Sequence, residues 1–209
     1  MARKRTRNTR GRIIAAAWKL FYEQGYENTT VEEIIEASST SKGSFYHYFE
    51  GKDTLLSSLS YLFDEKYQEL EAQLDPEGNR FESLLFLNRQ LFGYIENSVS
   101  LELLGRLLSS QLIARGDKHL LDHNRVYYRL LRRLCLEGQQ RGEIREDITA
   151  NEFVKAYALA ERALMYDWCL CSGEYSLADY GSGVMRRFLN DYQLGPKRLA
   201  PPAGNILFP

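Results

Sequence analysis

The stretch TSKGSFYHYFEGKDTLL, residues 40–56, decides how this chain is read. Phe45-Tyr46-His47-Tyr48-Phe49 follow directly on Ser41-Lys42-Gly43-Ser44, and Lys52 closes the segment. On a helical wheel at about 100° per residue the run separates into two faces. Phe45 and Phe49 share one, with Tyr48 beside them, and form a hydrophobic anchor. Gly43, Ser44, Tyr46 and His47 look the other way, with Lys42 at the exposed N-terminal edge. That outward face suits DNA: glycine lets the backbone come close, and Lys42, Ser44, Tyr46 and His47 can donate to phosphate oxygens or base edges. The helix N-terminus adds amide donors and a partial positive charge.

Working outward, Thr30-Val31-Glu32-Glu33 has the form of a capping box opening a short helix, with Val31, Ile34 and Ile35 on its inner face. Ser38-Ser39-Thr40-Ser41 favours a turn over a helix interior. Two short helices joined by such a turn make a helix-turn-helix. The helix before it is expected over 9–24, with Ile13, Ala17, Leu20 and Phe21 on one stripe and Gly25 as its stop. Prolines occur only at Pro76, Pro196, Pro201, Pro202 and Pro209. Between Gly11 and Leu194 helix breakers are scarce and period-3.6 patterns recur, so the chain reads as all-α with about nine helices. Further helices are expected over 52–74, 118–141, 151–171 and 177–192. The expected domains are a helix-turn-helix head with a basic arm over 1–51, a larger helical domain over 52–195, and an irregular tail over 196–209.

The net charge of −1 conceals an asymmetry. Residues 1–52 hold nine Lys/Arg and six Asp/Glu, and six of those basic residues lie in MARKRTRNTRGR, residues 1–12. Such an arm suits a polyanion, since each phosphate contact releases counterions; a solubilising tail is the other reading. No apolar run reaches the roughly 18 residues of a membrane helix and no secretory signal is evident, so a cytoplasmic location is the default. Cys135, Cys169 and Cys171 read as reduced thiols.

TTVEEIIEASSTSKGSFYHYFEGKDTLL resembles the DNA-binding segment of the tetracycline-repressor (TetR) family of bacterial transcriptional regulators. The resemblance is strong over residues 10–60 and weaker in GQQRGEIRED, residues 138–147. It implies a homodimer on a palindromic operator, acting as a repressor, with a small effector in the C-terminal domain shifting the spacing of the two reading heads. Thr30, Lys42, Gly43, Ser44, Tyr46, His47 and Lys52 match the family's DNA-contacting positions, and Ser41 opens the same helix. The family's usual turn is Ala-Gly-Val-Ser; Ser39 stands at the glycine and must take up positive φ, or the turn must differ.

In the C-terminal half, Phe153, Tyr157, Leu177, Val184 and Phe188 lie on apolar stripes that fit either a four-helix subunit interface or an ordinary core. Only the resemblance favours the interface. An effector pocket is expected where Asn88, Gln111, Asn124, Tyr127 and Tyr128 interrupt apolar stripes, with Phe92 and Trp168 as aromatic walls. His119-x-x-x-His123 has the spacing of a metal pair but lacks a third ligand nearby, so no metal and no cofactor is expected. No Gly-rich phosphate loop or nucleophile elbow appears, which argues against an enzyme. Glu161, Arg162 and Asp167 share one helix, where adjacent charges usually pair or face water. A helical binding module that has lost DNA binding is the main alternative, and a metal or redox sensor a weaker one.

Overall fold

A computed structural model describes residues 2–56, 58–113 and 118–194 of the chain, with side chains from residue 9 onward except at 59 and 113. The side chains of residues 1–8 of the basic arm, and the tail 196–209, lie outside the described residues. Among the described residues the fold is all-helical, with a single isolated bridge between Ile144 and Gln193. The helices are α1 (Ala2–Gln24), α2 (Val31–Ala37), α3 (Lys42–Tyr48), α4 (Lys52–Leu56), α5 (Leu59–Glu71), α6 (Arg80–Ser98), α7 (Leu101–Ile113), α8 (Val126–Gln140), α9 (Ala150–Leu170) and α10 (Ser182–Leu189).

Local chemistry sets many of these boundaries. Thr30 caps α2 and Thr149 caps α9 through complete capping boxes: each hydroxyl accepts from the amide of Glu33 or Glu152, whose carboxylate reaches back to the threonine amide. The helix expected over 52–74 is instead two, α4 and α5. Ser58 donates its hydroxyl to Leu55 O at 2.5 Å and takes the Trp18 indole N–H at 2.9 Å, which draws this turn out of the helical ladder and onto α1. The helix expected over 118–141 begins only at Val126. Before it stands a 3-10 turn, His119–Leu121, and then Asp122, whose carboxylate accepts from the Asn124 amide at 2.9 Å in an Asx-turn. The last expected helix opens with a π-helical turn, Leu177–Gly181, and closes with a 3-10 turn, Asn190–Tyr192. There Gly181 permits close approach, since a Cβ would lie 3.2 Å from the Phe92 ring.

The head is α1 to α3, closed over Ile13, Ala17, Phe21, Ile34 and Phe45, each 0–1% exposed. Burying side chains of this size contributes about 1.5–3 kcal/mol each, which is why so short a recognition helix stays in place. The larger body packs α5, α6, α8, α9 and α10, and its buried apolar residues are continuous with those of the head. Arg125 ties the start of α8 to α5, its guanidinium on Asp64 at 3.0 and 3.1 Å and on Ser60 O at 2.7 Å.

Candidate nucleic-acid interface and effector cavity

The turn between α2 and α3 is a helix C-cap of the Schellman type. Thr40 N donates to Ile35 O at 3.1 Å, and Ser39 N to Glu36 O at 2.9 Å. This geometry puts Ser39 at φ +49°, the left-handed region that glycine takes without cost. Ser38, 4% exposed, stiffens the turn by bonding Ile35 O at 3.1 Å and the Thr40 hydroxyl at 2.8 Å. Ser41 then caps α3, its hydroxyl accepting from Ser44 N at 3.1 Å.

The two faces of α3 separate as the wheel requires. Phe45 and Phe49 are buried with ring centroids 5.8 Å apart, while Lys42, Gly43, Tyr46 and His47 are exposed and Ser44 is half-buried. The Lys42 ammonium stands 3.7 Å from Glu32 and 5.9 Å from the Tyr46 ring. At that exposure the pair with Glu32 is screened and easily exchanged for another anion.

Lys52 requires a correction as a free phosphate grip. Its ammonium donates to Tyr26 O at 2.9 Å, Thr29 O at 3.1 Å and Glu27 O at 3.3 Å, and sits 4.5 Å from the Tyr26 ring centroid. All three of its N–H donors are engaged in holding the α1–α2 loop onto α4. Thr30, also matched to a DNA-contacting position, uses its hydroxyl in the α2 capping box. Of the basic arm's described side chains, Arg10 lies over the Tyr61 ring at 4.7 Å.

The model of the family described as bacterial regulatory proteins, tetR family, matches residues 13–59, the segment that folds into this head. Over nearly its whole length the chain superposes on Thermus thermophilus FadR, a TetR-family transcriptional repressor solved with lauroyl-CoA. The TM-score is 0.73 at 23% identity, over 92% of this chain and 98% of that one. The head is similar to the DNA-binding segment of the TetR family. UidR of Escherichia coli K12, an HTH-type transcriptional regulator, is 27% identical over 148 residues, 67% of this chain and 71% of UidR. YuxN of Bacillus subtilis, an HTH-type regulator that is itself uncharacterized, is 46% identical over 56 residues, 26% of this chain. That match spans only 19% of YuxN's own length.

In the body, the residues expected to form one pocket are scattered. Gln111 lines an open groove of about 500 Å³, together with Leu108, Leu112, Lys118, Leu120 and Tyr166. There its side-chain oxygen accepts from Leu120 N at 3.2 Å. Tyr127 lines a separate cavity of about 30 Å³ between α5, α8 and α9. Tyr128 donates to Leu120 O at 2.8 Å, bracing the 3-10 turn. Asn124 is corrected: it is exposed in the Asx-turn and lines neither space. Phe92 is fully buried against Gly181, and Trp168 donates to Tyr175 O at 2.8 Å, so both are core residues rather than pocket walls.

The subunit-interface residues also divide. Phe153, Tyr157 and Leu177 are each 0% exposed inside this single chain, so they pack its own core and cannot meet a second one. Val184 and Phe188 do reach the surface of α10. Beside them α9 exposes Leu159, Tyr166 and Leu170 at 53, 49 and 65%, on one helical face with Ala163. Sequence periodicity picked the inward stripe, since both stripes of α9 are apolar.

Glu161 is the largest departure from the sequence reading. It is buried, not facing water. Asn88 donates to it at 2.8 Å, Tyr127 at 2.8 Å and Tyr67 at 3.1 Å. Burial pushes its carboxyl above the ordinary 4.5, while bonds from Asn88, Tyr127 and Tyr67 hold it back in part. Burial and the nearby carboxylate push Tyr67 and Tyr127 well above their usual range. The missed signal is its register: Glu161 lies four residues from Tyr157 and seven from Trp168, on the buried stripe.

Among the described residues no group of three His, Cys, Asp or Glu could hold a metal ion, and His119 and His123 do not share an α-helical face. Burial raises the thiols, Cys135 to about 12 and Cys169 upward; Cys171 is also raised, with Asp167 and Glu174 contributing. None carries the depressed value of a reactive cysteine. Among the described residues no helix is long and apolar enough to cross a membrane.

Proposed function

We propose that this chain is a homodimeric, DNA-binding transcriptional regulator, a repressor released from an inverted-repeat operator by a small effector. The observation that carries this reading is α3: one face locked by Phe45 and Phe49, the other presenting Lys42, Gly43, Ser44, Tyr46 and His47 to solvent. That is a rigid reading helix in the geometry of a major-groove binder. The exposed apolar stripe of Leu159, Tyr166 and Leu170, continued by Phe188, is the face on which a second copy docks. The reading is of a binding protein without catalysis, working beside bacterial DNA in the cytoplasm.

Helix α7 supplies the coupling. At its middle, Arg106 pairs with Glu27 and Glu102 and lies 4.7 Å from the Tyr26 ring, gripping the loop of the head that Lys52 also holds. Its C-terminal end forms the groove wall through Leu108, Gln111 and Leu112. An occupant that shifts α7 therefore moves the head directly. FadR of Thermus thermophilus, whose fold this chain shares, was solved with a ligand, lauroyl-CoA.

Fluorescence anisotropy of a labelled random duplex, titrated at several salt concentrations, tests the reading with the Lys42→Ala and Tyr46→Phe variants. Weaker binding by both, with a flatter salt dependence for Lys42→Ala, is expected if α3 docks on DNA. Unchanged affinity in both variants contradicts it.

A further inference from the structure

The groove beside α7 carries an unbalanced charge. Its lining comes from the end of α7, the turn at 118–121 and α9. Among the described residues it holds two cations, Lys118 and Arg162, and no carboxylate. Lys118 is partly committed: its ammonium donates to Gln111 O and so offsets the negative end of α7. Arg162 is not. It is half-buried, and its one partner among the described residues is the neutral Tyr128 hydroxyl at 3.3 Å. That hydroxyl in turn donates to Leu120 O at 2.8 Å, so the link steadies the guanidinium without balancing its charge. Most of the guanidinium's N–H donors are left without an acceptor among the described residues.

Neighbouring acids do not fill the gap. Glu161, the next residue along α9, turns inward to Tyr67, Asn88 and Tyr127. Asp64 is spent on Arg125, the other cation of the small cavity. The rest of the groove is apolar, with Leu108 and Leu112 on α7, Leu121 on the turn, and Ala163 and Tyr166 on α9. At about 500 Å³ it falls within the roughly 300–1,000 Å³ of small-molecule sites. A half-buried guanidinium in such a trough loses solvation that a fixed anion would offset. Arg162 and Tyr166 stand four residues apart on α9, so an anion held by the guanidinium has its apolar body beside the tyrosine ring.

We infer that the groove takes an amphipathic monocarboxylate, its carboxylate on the Arg162 guanidinium and its hydrocarbon body between α7 and α9. This rests on the effector-regulated reading above and names the ligand class of that site. A planar guanidinium meets a carboxylate through two parallel N–H bonds. One open guanidinium and one partly committed ammonium favour a single negative charge over the dianion of a phosphate monoester. The same two cations reject an amine. Leu108, Gln111 and Leu112 belong to the helix that grips the head through Arg106, so the bound carboxylate acts on the head through α7.

The test is calorimetric titration of the full chain with n-octanoate, 1-octanol, n-octylamine and octyl phosphate, followed by anisotropy of labelled duplex DNA with and without octanoate. Octanoate is expected to bind about tenfold or more tightly than octanol, the increment of one charge-assisted pair. Octyl phosphate should rank below octanoate, and octylamine last. Raising the salt concentration should narrow the gap between octanoate and octanol. Arg162→Met keeps the hydrocarbon stem; it should bring octanoate down to the level of octanol and leave octanol unchanged. Should that variant not fold, the wild-type ranking decides alone. Equal binding of octanoate and octanol, or none of either, overturns the inference. Ala163 and Tyr166 also lie on the face proposed for a second copy. An absence of binding, together with a weaker dimer for Arg162→Met in sedimentation velocity, would therefore assign the groove to the subunit interface instead. Octyl phosphate binding more tightly than octanoate overturns the monocarboxylate in favour of a phosphate monoester. Octanoate binding that leaves DNA affinity unchanged supports the ligand class and refutes the coupling. Octanoate binding by a chain that binds no duplex supports the site and refutes the DNA-binding reading.

Discussion

Replacing Lys52 by methionine separates two roles that look alike in sequence. Lys52→Met keeps the hydrocarbon stem against Tyr26 and removes an ammonium that serves the carbonyls of Tyr26, Glu27 and Thr29 at 2.9–3.3 Å. Hydrogen bonds to a charged donor contribute about 1.5–3 kcal/mol in buried settings. Here the loop is near the surface and the carbonyls can be rehydrated, so the expected loss is about 1.5–2 kcal/mol in total. For a chain of this size that lowers Tm by roughly 3–8 °C. Urea unfolding should show a lower midpoint with an unchanged slope. DNA affinity should fall only as far as the head loosens, and the slope of log K against log salt should stay the same. If Lys52 instead grips phosphate in both subunits, the salt slope loses about 1.8 and stability hardly moves. That second pattern refutes the loop-anchoring role.

Three further predictions come from the geometry. Ser39→Gly relieves a side chain held at φ +49° and should stabilise the head by about 0.5–1 kcal/mol, seen as a higher urea midpoint; a loss of stability would mean the Ser39 side chain is needed in the turn. Glu161 has a folded-state pKa above its unfolded value, so its contribution to stability is complete below about pH 4.5 and is lost as pH rises through the folded value. Stability of Glu161→Gln relative to wild type should therefore increase from pH 4.5 upward, measured by urea unfolding across pH, and a flat difference contradicts the buried-carboxylate account. Leu159→Asp combined with Phe188→Asp should give a monomer in sedimentation velocity, both side chains being about half exposed. An unchanged dimer moves the interface elsewhere.

What the sequence disclosed was whatever local chemistry determines. The Thr30 and Thr149 capping boxes, the all-helical pattern and the two-faced recognition helix follow from spacing and side-chain type, and each forms. Ser39 was indicated only through the family resemblance, as the residue standing at the usual turn's glycine, and it does take up positive φ. Lys52 was not legible, since a lysine at a helix start serves phosphate and carbonyl oxygen equally well. The choice depends on a loop more than twenty residues away in the chain. Phe153, Tyr157 and Leu177 failed for a related reason: an apolar stripe looks the same whether it meets its own core or another subunit. Glu161 was hidden by its charge, which argues for solvent until the three donors from α5, α6 and α8 converge on it.

The central claim, that α3 reads DNA as one of a symmetric pair, is tested most directly by selecting bound sequences from a random duplex library. The account predicts an enriched inverted repeat, with half-sites about one helical turn apart or a multiple of it and affinity that falls steeply with salt. Binding without any enriched sequence, or an enriched single half-site bound by one copy of the chain, would contradict it.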